Sequence, residues 1–190
     1  MHFFYKYELP AIVNESSDRR IFLFGDSFAQ LVRKPDHARQ GSWVIDLALL
    51  LDAQIHSYGI SGAAESTILY CYQQTYNKDR DFTIIFHTHP TRSDNYYDLR
   101  DLTLHDYERW DKILEKQPCL HVYWSNEKHY KFKSGSTIPC HYWLNLHKKD
   151  NIGEIAPDDL IGVEGVIHHM YSEDNKKFAV DVYNKIKGEF

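Results

Sequence analysis

Cysteine is scarce in this chain, with only Cys71, Cys119 and Cys140 among 190 residues. An odd, widely spaced set makes neither a disulfide framework nor a Cys-x-x-Cys motif. It fits thiols that fill a core in a reducing compartment. Long apolar runs are missing too: none approaches the ~18–20 residues that a bilayer crossing needs. The opening stretch, Met1 to Pro10, lacks the basic segment and apolar centre of a signal peptide. These absences predict a cytoplasmic protein without a membrane partner, and they are compatible with carriage in a virus particle. Basic runs are also absent. The lysines are scattered as on a solvated face, and the net charge is −5, which argues against a nucleic-acid partner. Internal repeats and low-complexity segments are lacking.

What is present is the composition of a soluble globular chain, with 43% hydrophobic and 26% charged residues. A chain of this length is expected to form one domain with a full core. Residues 1–19 combine an aromatic opening with the polar stretch Asn14-Glu15-Ser16-Ser17-Asp18. They read as an N-terminal extension packed on a single domain covering 20–190. Within that domain, strand-like and helix-like patterns alternate. Ile21–Phe24 is an unbroken apolar run, and Trp43, Val44, Leu47, Ala48, Leu50 and Leu51 recur at helical spacing. Gln54–Tyr58 is a weaker strand ended by Gly59, and a helix is expected over about 63–77. Phe82–Phe86 is the clearest central strand. Leu104, Tyr107, Trp110 and Leu114 line one helical face, and Leu120–Trp124 is the next strand. A further strand is expected near Cys140–Leu146. A last helix starts at Ser172 as N-cap, with Glu173 and Asp174 in its first turn, where negative charge is favoured. Strand–helix alternation with continuous apolar strands predicts a three-layer α/β/α fold with a central parallel sheet of flavodoxin-like type.

Four segments carry the chemistry. Phe24-Gly25-Asp26-Ser27-Phe28 ends the first apolar strand, and Gly59-Ile60-Ser61-Gly62 follows the second. His87-Thr88-His89-Pro90 ends the central strand, and His168-His169-Met170-Tyr171-Ser172 leads into the last helix. In a parallel sheet, the first three reach the carboxyl edge, where open α/β folds bind ligands. A hydroxyl, a histidine and free backbone N–H groups at one edge are the parts of nucleophilic acyl chemistry. A serine needs a neighbouring base, an imidazole titrates near neutrality, and amides can meet a developing oxyanion. Asp26 reads as a turn residue whose side chain braces the loop, and Cys71 as packing.

In these blocks the sequence resembles the SGNH (GDSL-type) hydrolases, serine esterases and acyl hydrolases, and the likeness is collinear from residue 21 to about 187. The resemblance implies Ser27 as nucleophile and the Ser27 and Gly62 amides as oxyanion donors. It implies His169 as base and no cofactor. The substrate would be a small-molecule or glycan ester, such as an O-acetyl or other short acyl group. Two positions depart from the family pattern. His89 stands where the third block, Gly-x-Asn-Asp, has its asparagine, and a histidine N–H can take that donor's place. Val166 stands where an aspartate should orient the base. Glu164 is the nearest upstream carboxylate, and His168 is an alternative base.

Two other readings compete. The same fold can serve as a catalytically silent binding or structural module. The stretch His87-Thr88-His89-Pro90 also resembles the His-Ser/Thr-His-Pro core of JAMM-type zinc metalloproteases, with His87 and His89 as metal ligands and Glu65 as a loose candidate for the upstream glutamate. That family's distal Ser-x-x-Asp would fall near Tyr97 and Arg100, which cannot serve.

Overall fold

The computed structural model describes residues 10–31, 42–60, 63–75, 81–88, 99–124, 130–141 and 172–189. Among these residues six strands form one sheet: β1 Ala11–Val13, β2 Arg20–Gly25, β3 Gln54–Gly59, β4 Phe82–Phe86, β5 Cys119–Trp124 and β6 Ser136–Cys140. The described helices are α1 Trp43–Leu51, α2 Glu65–Gln74, α3 Leu99–Leu114 and α4 Ser172–Ile186.

The sheet order is β1-β3-β2-β4-β5-β6, with every neighbouring pair parallel except β1 and β3. Counting the parallel strands alone gives the order 2-1-3-4-5 of a flavodoxin-like sheet. The expected three-layer α/β/α fold is therefore the observed one. Successive side chains on a strand point to opposite faces, and the core divides accordingly. Ile21 and Leu23 of β2 pack with Trp43, Val44 and Leu47 of α1 and Phe178 and Val182 of α4. Phe22 and Phe24 pack on the other side with Ile68, Leu69 and Tyr72 of α2 and Trp110 and Leu114 of α3. Both faces are thus covered, which explains why the strands carry unbroken apolar runs.

Three details differ from the expectations. Ala11–Val13, within the N-terminal extension, pairs antiparallel with β3 at the sheet edge. Its three residues are too short to announce themselves by alternation. Earlier than the strand expected near Cys140–Leu146, whose residues 142–146 lie outside the described residues, a strand runs over Ser136–Cys140. There Pro139 sits on an edge strand, where a missing N–H does no harm. Helix α4 takes in Ser172 as its first residue, one position earlier than a cap at Ser172 implies. Among the described residues, no helix is long and apolar enough to cross a membrane.

Candidate active site

Parallel order reverses between β2 and β4, because β3 lies on one side of β2 and β4 on the other. At such a switch point the two following loops diverge and leave a crevice at the carboxyl edge. The Ser27 turn leaves β2 there, and His87 and Thr88 leave β4 beside it.

The turn is tightly built. Asp26 is buried, and its Oδ1 accepts the Phe28 N–H at 3.0 Å. Its carbonyl accepts from Ala29 at 3.1 Å, and the Ser27 carbonyl accepts from Gln30 at 3.3 Å. Asp26 is thus the brace the sequence suggested, an Asx-type turn former. Gly25 is required by crowding: a Cβ there would sit 2.8 Å from the Cβ atoms of Ala29 and Phe86. Ser57 of β3 donates its hydroxyl to the Ala29 carbonyl, and Trp43 Nε1 donates to the Phe28 carbonyl at 2.8 Å. Ser27 is left half-buried at the crest of this turn, between the buried Asp26 and Phe28.

The same turn is coupled to the last helix. Asn175 Oδ1 accepts the backbone N–H of Trp43 at 3.0 Å. Trp43 therefore bonds α4 through its backbone and the Ser27 turn through its indole. Among the sequence-derived candidates, Ser27, His87 and Glu65 are described. Gly62, His89, Glu164, His168 and His169 lie outside the described residues.

A buried polar chain, which the sequence did not announce as a unit, begins behind the third block. Glu65, the first residue of α2, accepts from Trp110 Nε1 at 2.7 Å and from the Thr88 N–H at 3.2 Å. Its Oε1 also lies 2.8 Å from His87 Nδ1. His87 Nε2 is 2.9 Å from His121 Nδ1, and His121 Nε2 is 3.0 Å from Ser134 Oγ. Ser134 Oγ donates to Asp111 Oδ1 at 2.8 Å. The Thr88 hydroxyl closes the link to the nucleophile turn by donating to Asp26 Oδ2 at 3.2 Å. Phe132 seals the imidazoles from one side, stacking on His121 with ring centroids 3.9 Å apart and on His87 at 4.6 Å.

Hydrogen counting fixes the polarity of this chain. Between the two terminal carboxylates are four contacts, each needing one hydrogen. Two neutral imidazoles and a hydroxyl supply three. With Ser134 donating to Asp111, His87 Nε2 donates to His121, and the fourth hydrogen lies between His87 Nδ1 and Glu65 Oε1. His121 then donates to Ser134, and Ser134 to Asp111. Burial first, and the charge of His87 second, push the His121 ring down to about 2 against the opposing pull of Asp111, so this ring stays neutral. Burial works against the Asp111 carboxylate, but hydrogen bonds from Ser134, Tyr130 and the Lys133 amide outweigh it and hold its pKa below the usual value. Burial, followed by repulsion from Glu65, raises Asp106.

Both ring nitrogens of His87 are thus committed to other side chains, which leaves it no lone pair for a metal. Among the described residues no group of three or more histidine, cysteine, aspartate or glutamate side chains is placed to hold an ion. Cys71, Cys119 and Cys140 are all buried free thiols. Burial pushes Cys71 up to about 11 and Cys119 up to about 12, as expected of inert packing residues.

The sequence contained one clue to the buried chain. In Leu120-His121-Val122, a polar residue interrupts a strand whose neighbours are fully buried, and a buried imidazole demands partners. What it could not supply was their identity, since Glu65, Asp111 and Ser134 arrive from three different elements.

No protein-family model matches the chain, and no curated protein is detectably similar to it in sequence. Solved structures are similar. A lipase/acylhydrolase from Enterococcus faecalis superposes with a TM-score of 0.53 at 13% identity, over 90% of this chain and 96% of its own. The chain has the SGNH-hydrolase fold. A catalytic serine-to-alanine mutant of an acetylxylan esterase from Geobacillus stearothermophilus superposes on it at 0.54 with 11% identity, covering 90% of this chain and 94% of that one. The aryl esterase of M. smegmatis gives 0.51 and 14%, over 90% of this chain and all of that one. The SGNH-like sheet is therefore shared across nearly the whole length, while the side chains upon it have diverged.

Proposed function

We propose that this protein is a serine esterase or acyl hydrolase acting on a small-molecule or glycan ester with a short acyl group. One observation carries the reading: a braced Gly-Asp-Ser turn presents a half-buried serine at the switch point of an SGNH-hydrolase fold. Structures with this fold include enzymes described as an aryl esterase, a lipase/acylhydrolase and an acetylxylan esterase.

In this reading Ser27 Oγ attacks the ester carbonyl while His169 removes its proton. The tetrahedral oxyanion is held by the Ser27 and Gly62 amides and by a ring N–H of His89. His169 returns the proton to the leaving alcohol, giving an acyl-enzyme. Water, deprotonated by the same histidine, then releases the acid and restores Ser27. Support for His169 comes from the helix that follows it. Asn175, six residues downstream, is anchored to Trp43, which is itself bonded to the Ser27 turn. With Val166 in the usual aspartate position, the imidazole is oriented by Glu164 or a backbone carbonyl, or His168 serves in its place.

The test is hydrolysis of p-nitrophenyl acetate by purified wild type, Ser27→Ala and His169→Ala. Wild-type turnover that falls at least 10³-fold in either folded variant is the expected result, roughly the scale on which triad members act. Full activity in Ser27→Ala would refute the assignment.

A further inference from the structure

Glu65 is the first residue of a helix, yet its carboxylate is buried and does not cap that helix with its own side chain. It reaches instead across the site. Oε2 holds the Thr88 amide, and Oε1 faces both the His87 ring and the Trp110 indole. Thr88 passes the constraint on, because its hydroxyl donates to Asp26 Oδ2, while Asp26 Oδ1 holds the Phe28 amide beyond Ser27. Glu65 also begins α2 directly after the segment that bears Gly62, and Ile60, before that segment, donates its N–H to the Gly25 carbonyl at 3.0 Å. The carboxylate therefore meets the loop after β4 directly and the turn after β2 through Thr88 and Asp26, and its helix follows the β3 loop in sequence.

A buried carboxylate is expensive unless fully hydrogen-bonded. The Trp110 indole and the His87 ring on one oxygen, with the Thr88 amide on the other, satisfy it. A structural anchor would need no such convergence on the strand ends. Behind His87, the neutral His121 and the Ser134–Asp111 pair hold its ring in one orientation.

We propose that Glu65 is a positioning residue that, through Thr88 and Asp26, fixes the Ser27 turn relative to the β4 loop; its kinetic consequence rests on the hydrolase reading above. It is not a catalytic residue, since it acts only through its neighbours. Displacing reacting groups by about 1 Å can cost about 10²-fold in rate, and the tether is of the kind that prevents it.

Glu65→Gln tests the proposal. The amide retains an oxygen for Trp110 and His87 but turns an NH₂ toward the Thr88 N–H, breaking that bond alone. Tyr72→Phe is the control. It lies on the same helix and loses a hydrogen bond to Gln117 that leads to none of the three loops. Two readouts are needed: steady-state kinetics on p-nitrophenyl acetate, and amide hydrogen exchange resolved at Phe28 and Ala29. The expected result for Glu65→Gln is a kcat lower by about 10²-fold with KM within about twofold, and at least tenfold faster exchange at Phe28. Tyr72→Phe should show neither change. Thr88→Val, which removes only the hydroxyl link, should reproduce the faster exchange and serves if Glu65→Gln does not fold. Exchange at Phe28 that is unchanged in both Glu65→Gln and Thr88→Val would overturn the proposal. A wild type without esterase activity, but with the exchange coupling intact, would refute the hydrolase reading and leave the positioning link standing.

Discussion

His121 shows what one buried side chain imposes on the protein. Its ring is enclosed between His87, Ser134 and Phe132, and it resists protonation down to about pH 2. In the unfolded chain the same histidine protonates near 6.5. Below that value the unfolded state binds a proton that the folded state refuses, so this residue makes stability fall as pH drops from about 6.5 toward 2. Above 6.5 it adds no pH dependence. The expected slope from this one group is at most about 1.4 kcal/mol per pH unit. Urea-unfolding curves at pH 7.5, 6, 5 and 4 should show a midpoint falling steadily with acid. His121→Gln should be less stable at pH 7.5 and visibly flatter below 6.5; equal slopes in the two proteins would contradict the account. The residue scale also shows the limits of sequence reading. Asp26 could be assigned its bracing role because its partner is two positions away. Glu65 and His87 could be put together only loosely, as parts of a metal site, and His121, Ser134 and Asp111 could not be joined to them, because each contact spans between 13 and 34 positions.

At the scale of elements, the informative contact is between α1 and α4. Ser42 caps α1 with its side chain on Val44, while the neighbouring Trp43 amide is satisfied by Asn175 from α4. The Trp43 indole in turn bonds the carbonyl of Phe28. Two helices distant in sequence are thereby secured to one turn. Asn175→Leu should leave the Trp43 N–H buried and unpaired, costing about 1–3 kcal/mol. Chemical denaturation measures that loss. In the hydrolase reading kcat should also fall, since α4 follows His169. No loss of stability would show that the bond does not couple these helices. Strands β2, β4 and β5 were legible because doubly buried strands are continuous apolar runs. Strand β6 carries no such signal, because its partly buried residues follow no continuous apolar pattern. Strand β1 was missed because three residues carry too little periodicity.

For the whole molecule, fold and chemistry rest on different kinds of information. Alternation of strands and helices, with each strand feeding both cores, fixes a flavodoxin-like sheet, and that sheet alone decides where the switch-point crevice opens. Hence the fold could be read from pattern, and solved structures at 10–14% identity share it. The candidate site depends on single side chains: Val166 and His89 depart from the pattern the sequence resembles, and Glu65 joins residues far apart in the sequence. The central claim is that Ser27 at this crevice is an activated nucleophile. Intact-mass spectrometry after treatment with a serine-reactive organophosphonate tests it most directly. The account predicts one covalent adduct on wild-type protein, mapped by peptide sequencing to Ser27 and absent from Ser27→Ala. Well-folded wild type that takes up no adduct, or an adduct that persists in Ser27→Ala, would contradict it.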